Sequence, residues 1–236
     1  MTVHSTLILN LYKAKVASGE LTYDAAQQRA VMALNTLSLQ LQTPVKWWQK
    51  TPNINGVYLY GPVGRGKSML MDLFYNNVPV VKKQRLHFHH FIAHVHSQLA
   101  ELQGHANPLT LIAKKWAKNI KVLCFDEFFV SDIGDAMIMA RLFKAMFEQG
   151  LVLVATSNAK PEQLYCNGLQ RARFLPTIDL INAHCHVINV AGEEDHRFRY
   201  GRSSRHYFIN LPHAEFEAGF LSAYPQATRD NTMTVH

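Results

Sequence analysis

The alternation of apolar and polar positions separates the chain into an N-terminal, a central and a C-terminal stretch. Over residues 1–50, Val16, Leu21, Tyr23, Ala26, Ala30, Leu34, Leu37 and Leu41 recur at mostly helical spacing, the signature of one helix face. Thr22 and Asp24 stand where a helix would start. Pro44 and Pro52 bracket a linker that carries Trp47 and Trp48. From Asn55 to Val190 the texture changes to short apolar runs separated by helical stretches. The runs are Gly56–Tyr60, Arg85–His89, Lys121–Phe125, Leu151–Thr156 and His186–Val190. Most are continuous rather than alternating, as in strands covered on both faces. The intervening segments are long enough for helical crossovers. Residues 51–192 are therefore expected to form an α/β three-layer fold around a mainly parallel sheet. Over residues 193–236, HRFRY and RHYFIN joined by GRSS predict a β-hairpin, followed by a polar tail.

Composition narrows the class. A chain of 236 residues suits one globular domain with appendages. A hydrophobic content of 48% against 17% charged residues excludes a disordered chain. Cys124, Cys166 and Cys185 are far apart and form no CxxC pair, which speaks against a secreted disulfide framework and for a reducing, cytoplasmic setting. No basic segment precedes the first apolar run, and no run approaches the ~20 residues that span a bilayer; a soluble chain without a signal peptide is expected. Lys and Arg number 24 against 17 Asp and Glu, a net charge of +7. That surplus invites an acidic partner (nucleotide, nucleic acid, acidic protein or anionic lipid) without choosing among them.

The strongest chemical signal is Gly61-Pro62-Val63-Gly64-Arg65-Gly66-Lys67-Ser68, a complete G-x-x-x-x-G-K-[ST] phosphate loop, or Walker A motif. Its glycines allow a tight turn and close approach to an anion. The helix that follows presents its N-terminal dipole to the same phosphates. Lys67 supplies a positive charge for the β- and γ-phosphates of ATP, and Ser68 a hydroxyl for Mg²⁺. Strand-like GVYLY before the loop and Met69, Leu70, Met71, Leu73 and Phe74 after it complete the required context.

Val122-Leu123-Cys124-Phe125-Asp126-Glu127 is an apolar run ending in two carboxylates. A buried strand would deliver them to the carboxyl edge of the sheet, beside the phosphate loop. Asp126 is expected to hold Mg²⁺ through its water shell, and Glu127 to orient and deprotonate the attacking water. The run Leu151–Thr156 followed by Ser157-Asn158 repeats that layout. Asn158 is a candidate to bind the γ-phosphate or the water; the alternative is a helix cap ahead of Ala159-Lys160-Pro161. RLHFHHF supplies one more strand between Ser68 and Asp126. By analogy with the hydrolytic branch of phosphate-loop ATPases, the strand order is then 5-1-4-3-2.

GVYLYGPVGRGKSMLMDLFY, HFHHFIAHVHSQL, VLCFDEFFVSDIGDAM, LVLVATSNAKPEQLYCNGLQRARFLPTI and DHRFR together resemble the ZapE-type cell-division ATPases, bacterial relatives of a mitochondrial AAA+ group (the AFG-one-like ATPases). The resemblance covers most of residues 7–210. It implies an AAA+ core that hydrolyses ATP with Mg²⁺ through Lys67, Ser68, Asp126 and Glu127, with Asn158 as sensor. It further implies an arginine in GLQRARF acting on a neighbouring subunit, Arg173 first and Arg171 second, and hence a homo-oligomer; surface arginines paired with carboxylates are the alternative. The implied partner is the tubulin-like division protein FtsZ, at the division site. Relative to that family the sequence reads as C-terminally shortened. The lid and its sensor arginine are expected beyond it, so nucleotide binding is the firmer expectation and turnover the weaker.

Other features weigh less. His87, His89, His90, His94 and His96 cluster, but no acidic or Cys ligand stands near them, and strand-end and helix-start positions account for them without a metal. His184-Cys185-His186 reads as an edge strand rather than a ligand triplet. Arg197, Arg199, Arg202 and Arg205 lie among aromatic residues. They allow a nucleic-acid-associated AAA+ reading of the helicase-loader type, although a solvated hairpin is the commoner outcome. A non-hydrolysing nucleotide-bound scaffold is a further alternative; a small-molecule kinase fits Glu127 and Asn158 less well.

Overall fold

The computed structural model of the protein describes residues 7–43 and 54–191. The proline-bracketed linker, both of its tryptophans and the C-terminal hairpin of the sequence analysis lie outside those residues. In chain order the elements are α1 (Leu7–Ala17), α2 (Ala25–Gln42), β1 (Gly56–Tyr60), α3 (Lys67–Asn77), β2 (Lys83–His87), α4 (Phe88–Glu101), α5 (Pro108–Asn119), β3 (Val122–Asp126), α6 (Ile133–Glu148), β4 (Val152–Ser157), α7 (Leu175–His184) and β5 (Cys185–Asn189). Two short 3-10 turns, Pro161–Gln163 and Arg171–Arg173, fall between β4 and α7.

The five strands form one parallel sheet in the order β2-β3-β4-β1-β5. This is the 5-1-4-3-2 order expected by analogy, read from the other edge. The central strands β1, β3 and β4 are buried almost end to end, whereas β2 and β5 are partly exposed edges.

Period-2 alternation divides the central strands between two cores. Val57, Leu59, Val122, Cys124, Val152 and Val154 face one side, where they join Leu70, Met71 and Phe74 of α3 and Ile8, Tyr12, Val31 and Leu34 of α1 and α2. Tyr58, Leu123, Phe125, Leu153 and Ala155 face the other side and meet α4, α5, α6 and α7. The N-terminal helices therefore complete one layer of the sandwich. Asp24 caps α2 by accepting from the N–H groups of Ala26 and Gln27 (2.7 and 3.1 Å), and Asp132 caps α6 in the same way.

The apolar runs mark the strands to within two residues. The largest shift is at β2, expected over Arg85–His89 and found over Lys83–His87. Phe88 is the reason: it is buried with Phe91, Ile92 and Val95 on one helical face, so helical packing claims the apolar half of RLHFHHF. β1 and β4 approach so closely that a Cβ on Gly56 would lie 1.8 Å from the Leu153 carbonyl oxygen. Among the described residues, no helix is long and apolar enough to cross a membrane.

Candidate nucleotide-binding site

Parallel strands deliver the predicted residues to one edge of the sheet. β1 ends in the Gly61–Ser68 loop, β3 in Asp126 and Glu127, and β4 in Ser157 and Asn158; β4 lies between the other two. Gly64 and Gly66 have φ of 82° and 80°, a left-handed conformation that glycine adopts without steric cost. Gly66 is the N-cap of α3 and provides no side-chain acceptor, so the first-turn N–H groups are left to an external anion. The Lys67 ammonium donates to the carbonyls of Gly61 and Pro62 (2.6 and 2.7 Å), folding over the loop it serves. Partial burial lowers its pKa from the usual lysine value.

Asp126 is held from the neighbouring strand. His87 and Asp126 are register partners. Two residues earlier on β2, Arg85 donates to both carboxylate oxygens of Asp126 (Nε to Oδ2 2.6 Å, Nη2 to Oδ1 3.2 Å) and also pairs with Asp72 of α3. Burial alone would lower the pKa of the Arg85 guanidinium; its hydrogen bonds to Asp126 and Asp72 outweigh that and raise it. The helix that follows the phosphate loop and the strand that carries the acid are thus tied through one guanidinium. A bidentate pair leaves further lone pairs on the carboxylate, so Asp126 remains able to accept from the water shell of a cation. Its oxygen chemistry, with that of the Ser68 hydroxyl, is of the kind Mg²⁺ prefers.

Glu127 adopts φ 54°, uncommon for a residue with a side chain. Two bonds to Thr156 of β4 hold it there: the Glu127 N–H donates to the Thr156 hydroxyl (3.2 Å) and the Phe128 N–H to the Thr156 carbonyl (2.7 Å). The turn projects the carboxylate outward, 78% exposed, with His87 Nδ1 3.8 Å away. The Ser157 hydroxyl donates to the Phe128 carbonyl (2.8 Å) and accepts from the Ala159 N–H (3.2 Å). The Tyr58 hydroxyl donates to the Ala159 carbonyl (2.9 Å). Asn158 is exposed between these anchored neighbours. The cap of the following 3-10 turn is Lys160, so Asn158 does not act as that helix cap.

The 3-10 turn Arg171–Arg173 packs on α6 and α7. Arg171 donates to the Glu162 carbonyl (2.7 Å). Arg173 is exposed and, among the described residues, its side chain reaches the Met137 sulfur at 3.7 Å. Neither arginine enters an ion pair with a carboxylate among the described residues, and no hydrogen bond joins either to the phosphate loop, Asp126 or Glu127. The structure thus assembles the loop, the acids and Asn158 at one edge and leaves the arginines on a separate turn. The imidazoles of His87, His89 and His90 lie against one another, the closest ring centroids 4.0 Å apart. His184 stacks on Phe147 at the start of the β5 edge.

Sequence reasoning missed a supporting layer. Gln27 of α2 is buried, donates to the Arg65 carbonyl inside the phosphate loop (3.1 Å) and packs so closely that a Cβ on Gly66 would lie 2.8 Å from its amide nitrogen. The Tyr12 hydroxyl of α1 donates to the Gln27 amide oxygen (3.4 Å). A glutamine one helical step before the buried Ala30, Val31 and Leu34 is the signal available in the sequence, though Asn35 and Ser38 are buried polar residues of the same helix.

Similarity to known proteins agrees with this geometry. The profile of the AFG1-like ATPase family matches residues 6–232. The cell division protein ZapE of Escherichia coli K12 is 45% identical over 214 residues, which are 89% of this chain and 56% of that protein. Lactation elevated protein 1 homolog B of Danio rerio is 42% identical over 173 residues, 68% of this chain and 34% of that one. The chain therefore spans about half or less of the length of these relatives. Among solved structures, DnaI superposes with a TM-score of 0.54 at 17% identity (75% of this chain, 87% of that one). AMPPCP-bound DnaA from Aquifex aeolicus superposes with a TM-score of 0.53 at 14% identity (85% and 57%). At those identities the superpositions establish the fold, the three-layer AAA+ form of the phosphate-loop NTPases. With a profile that spans nearly all of its length and a bacterial relative of this similarity, the chain belongs to the AFG1-like ATPase family.

Proposed function

We propose that this chain binds ATP over Gly61–Ser68 and hydrolyses it with Mg²⁺, as an oligomer acting on a protein partner. The observation that supports this reading most is the convergence of the phosphate loop, Asp126, Glu127 and Asn158 on the carboxyl edge of adjacent strands, where parallel α/β sheets place their ligands. The backbone of Pro62, Val63, Gly64, Arg65, Gly66 and Lys67 cradles the phosphates. Lys67 leaves its loop carbonyls for the β- and γ-oxygens. Ser68 and Asp126 hold Mg²⁺, which supplies charge neutralisation on the transferring phosphoryl group. Glu127, projected clear of its strand, orients water and accepts its proton. Asn158 positions that water or the γ-phosphate. Arg173 meets the neighbouring subunit's nucleotide, a role in keeping with its exposure and lack of a carboxylate partner; Arg171, tied to a carbonyl, is the second choice.

The partner proposed from family resemblance is FtsZ, and the setting is the cytoplasm with recruitment to the division site. The division into residues 1–50, 51–192 and 193–236 belongs to the same proposal. The test is ATP turnover over a range of protein concentrations, beside Lys67→Ala and Glu127→Gln. Turnover per subunit that rises with concentration and is lost in both variants, with nucleotide binding kept in Glu127→Gln, is the expected result. Turnover equal in wild type and Glu127→Gln overturns it.

A further inference from the structure

The polar edge of the sheet carries a groove that the nucleotide site does not use. β2 pairs with β3 alone; among the described residues no strand covers its outer side. The Val122 N–H donates to the Lys82 carbonyl, and peptide groups alternate in direction along a parallel ladder. Arg85 therefore turns both its N–H and its C=O away from β3, as do the Lys83 carbonyl and the His87 N–H; the Lys83 N–H is taken by the Val81 carbonyl (3.0 Å) and the His87 carbonyl opens α4. Between this edge and the helices α4 and α5 lies a cavity of about 470 Å³. Leu86 and Trp116 give it apolar surface, and Lys82, Lys115, His90 and His94 give it basic surface; among the described residues no Asp or Glu lines it. None of the ion pairs among the described residues involves Lys82, Lys83 or Lys115. Trp116 is fixed in place: its indole N–H donates to Gln98 (3.2 Å), and the His94 ring stands edge-on at 5.7 Å.

We propose that this groove takes an extended acidic segment of a partner protein, which adds to β2 as a further strand. Main-chain bonds to the outward peptide groups supply affinity, and alternate side chains supply selectivity. Apolar side chains of the segment lie over the partly exposed Leu86, beside the buried Trp116, and its carboxylates meet Lys82 and Lys115. A short edge bearing lysines is also how sheets resist unwanted pairing. Lysines repel a basic strand and disfavour a neutral one, yet attract an acidic one, so the same residues that protect the edge select its partner. A single-stranded nucleic acid is the poorer occupant. Trp116 is buried and tied through its indole N–H, so its ring offers no face for base stacking, and outward peptide groups are met by another peptide.

The groove's lining residues are distinct from those of the nucleotide site, so its test needs no ATP. The 236-residue chain is passed over two arrays of ten-residue peptides in which apolar positions alternate with either Glu and Asp or Lys and Arg. Fifteen-residue oligothymidylate serves as competitor. The expected result is retention on the acidic array only. In solution, affinity for the best acidic peptides falls at least tenfold in Lys82→Glu/Lys115→Glu, with preference moving to the basic array, and a central proline in the peptide causes a similar loss. Lys115→Gln alone gives a smaller loss in the same direction; both lysines are exposed, and a thermal melt checks that each variant is folded. The proposal is overturned if no acidic peptide is retained, if proline is immaterial, if charge reversal leaves the preference unchanged, or if oligothymidylate displaces the peptides and binds more tightly than they do.

Discussion

The two faces of the sheet are built from the same strands and do different work. The face that meets α4, α5, α6 and α7 is aromatic: Phe88, Phe91, Phe125, Phe128 and Phe143 pack ring against ring. The face that meets α1, α2 and α3 is mostly aliphatic. It is also the face whose polar residues reach the nucleotide site, through Gln27 to the Arg65 carbonyl and through Arg85 to Asp126 and Asp72. Aromatic packing gives area and rigidity, with Tyr58 and Ser157 anchoring the turns after β3 and β4; on the other face a few buried hydrogen bonds position the phosphate loop and Asp126. One face stabilises the fold, and the other also aims the loop.

The largest effect that tests this contrast is Phe143→Ala. Truncating a buried Phe costs about 3–5 kcal/mol. Denaturant unfolding should show that loss, while the folded fraction binds an ATP analogue with wild-type affinity. A parallel loss of affinity would mean that the two faces are not separable. Next is Gln27→Met, which keeps volume and removes the bond to the loop. One net hydrogen bond is worth about 1 kcal/mol, so analogue affinity should weaken roughly five- to tenfold, with little change in the unfolding midpoint. Unchanged affinity would reduce α2 to scaffolding.

The smallest effect is chemical. Each face buries one thiol, Cys124 on the aliphatic side and Cys185 on the aromatic side, and burial pushes both up to about 12. Under native conditions only the exposed Cys166 should be alkylated. In mild denaturant Cys185, on the edge strand β5, should react before Cys124, on the central strand β3; mass-resolved labelling reads the order. The reverse order would place the weaker face on the side of the N-terminal helices.

What was legible in the sequence follows the range of the interaction. Gly61–Ser68 is contiguous, so its conformation and chemistry can be read together. The central strands are legible because burial on both faces leaves continuous apolar runs, and Gly56–Tyr60 coincides with its run to the residue. β2 is less so, because an edge strand of the form Lys-Gln-Arg-Leu-His carries no such run. The contacts of Arg85 with Asp126, of Thr156 with Glu127, and of Gln27 with Arg65 join residues 41, 29 and 38 positions apart. They depend on strand register and layer packing, which no local pattern encodes. The groove beside β2 is hidden for the same reason, since its lysines, histidines and tryptophan come from three elements.

Gly56 carries a lesson for anyone scanning this chain by mutation. Even the smallest side chain there would overlap the Leu153 carbonyl, at 1.8 Å. The alphabet at that position is a single letter. Substitution would wedge β1 from β4 and tilt the loop that β1 holds, so a fitness map would score Gly56 beside Lys67. Intolerance at the two positions has different origins: one is a charge that chemistry needs, the other an absence of atoms that geometry needs.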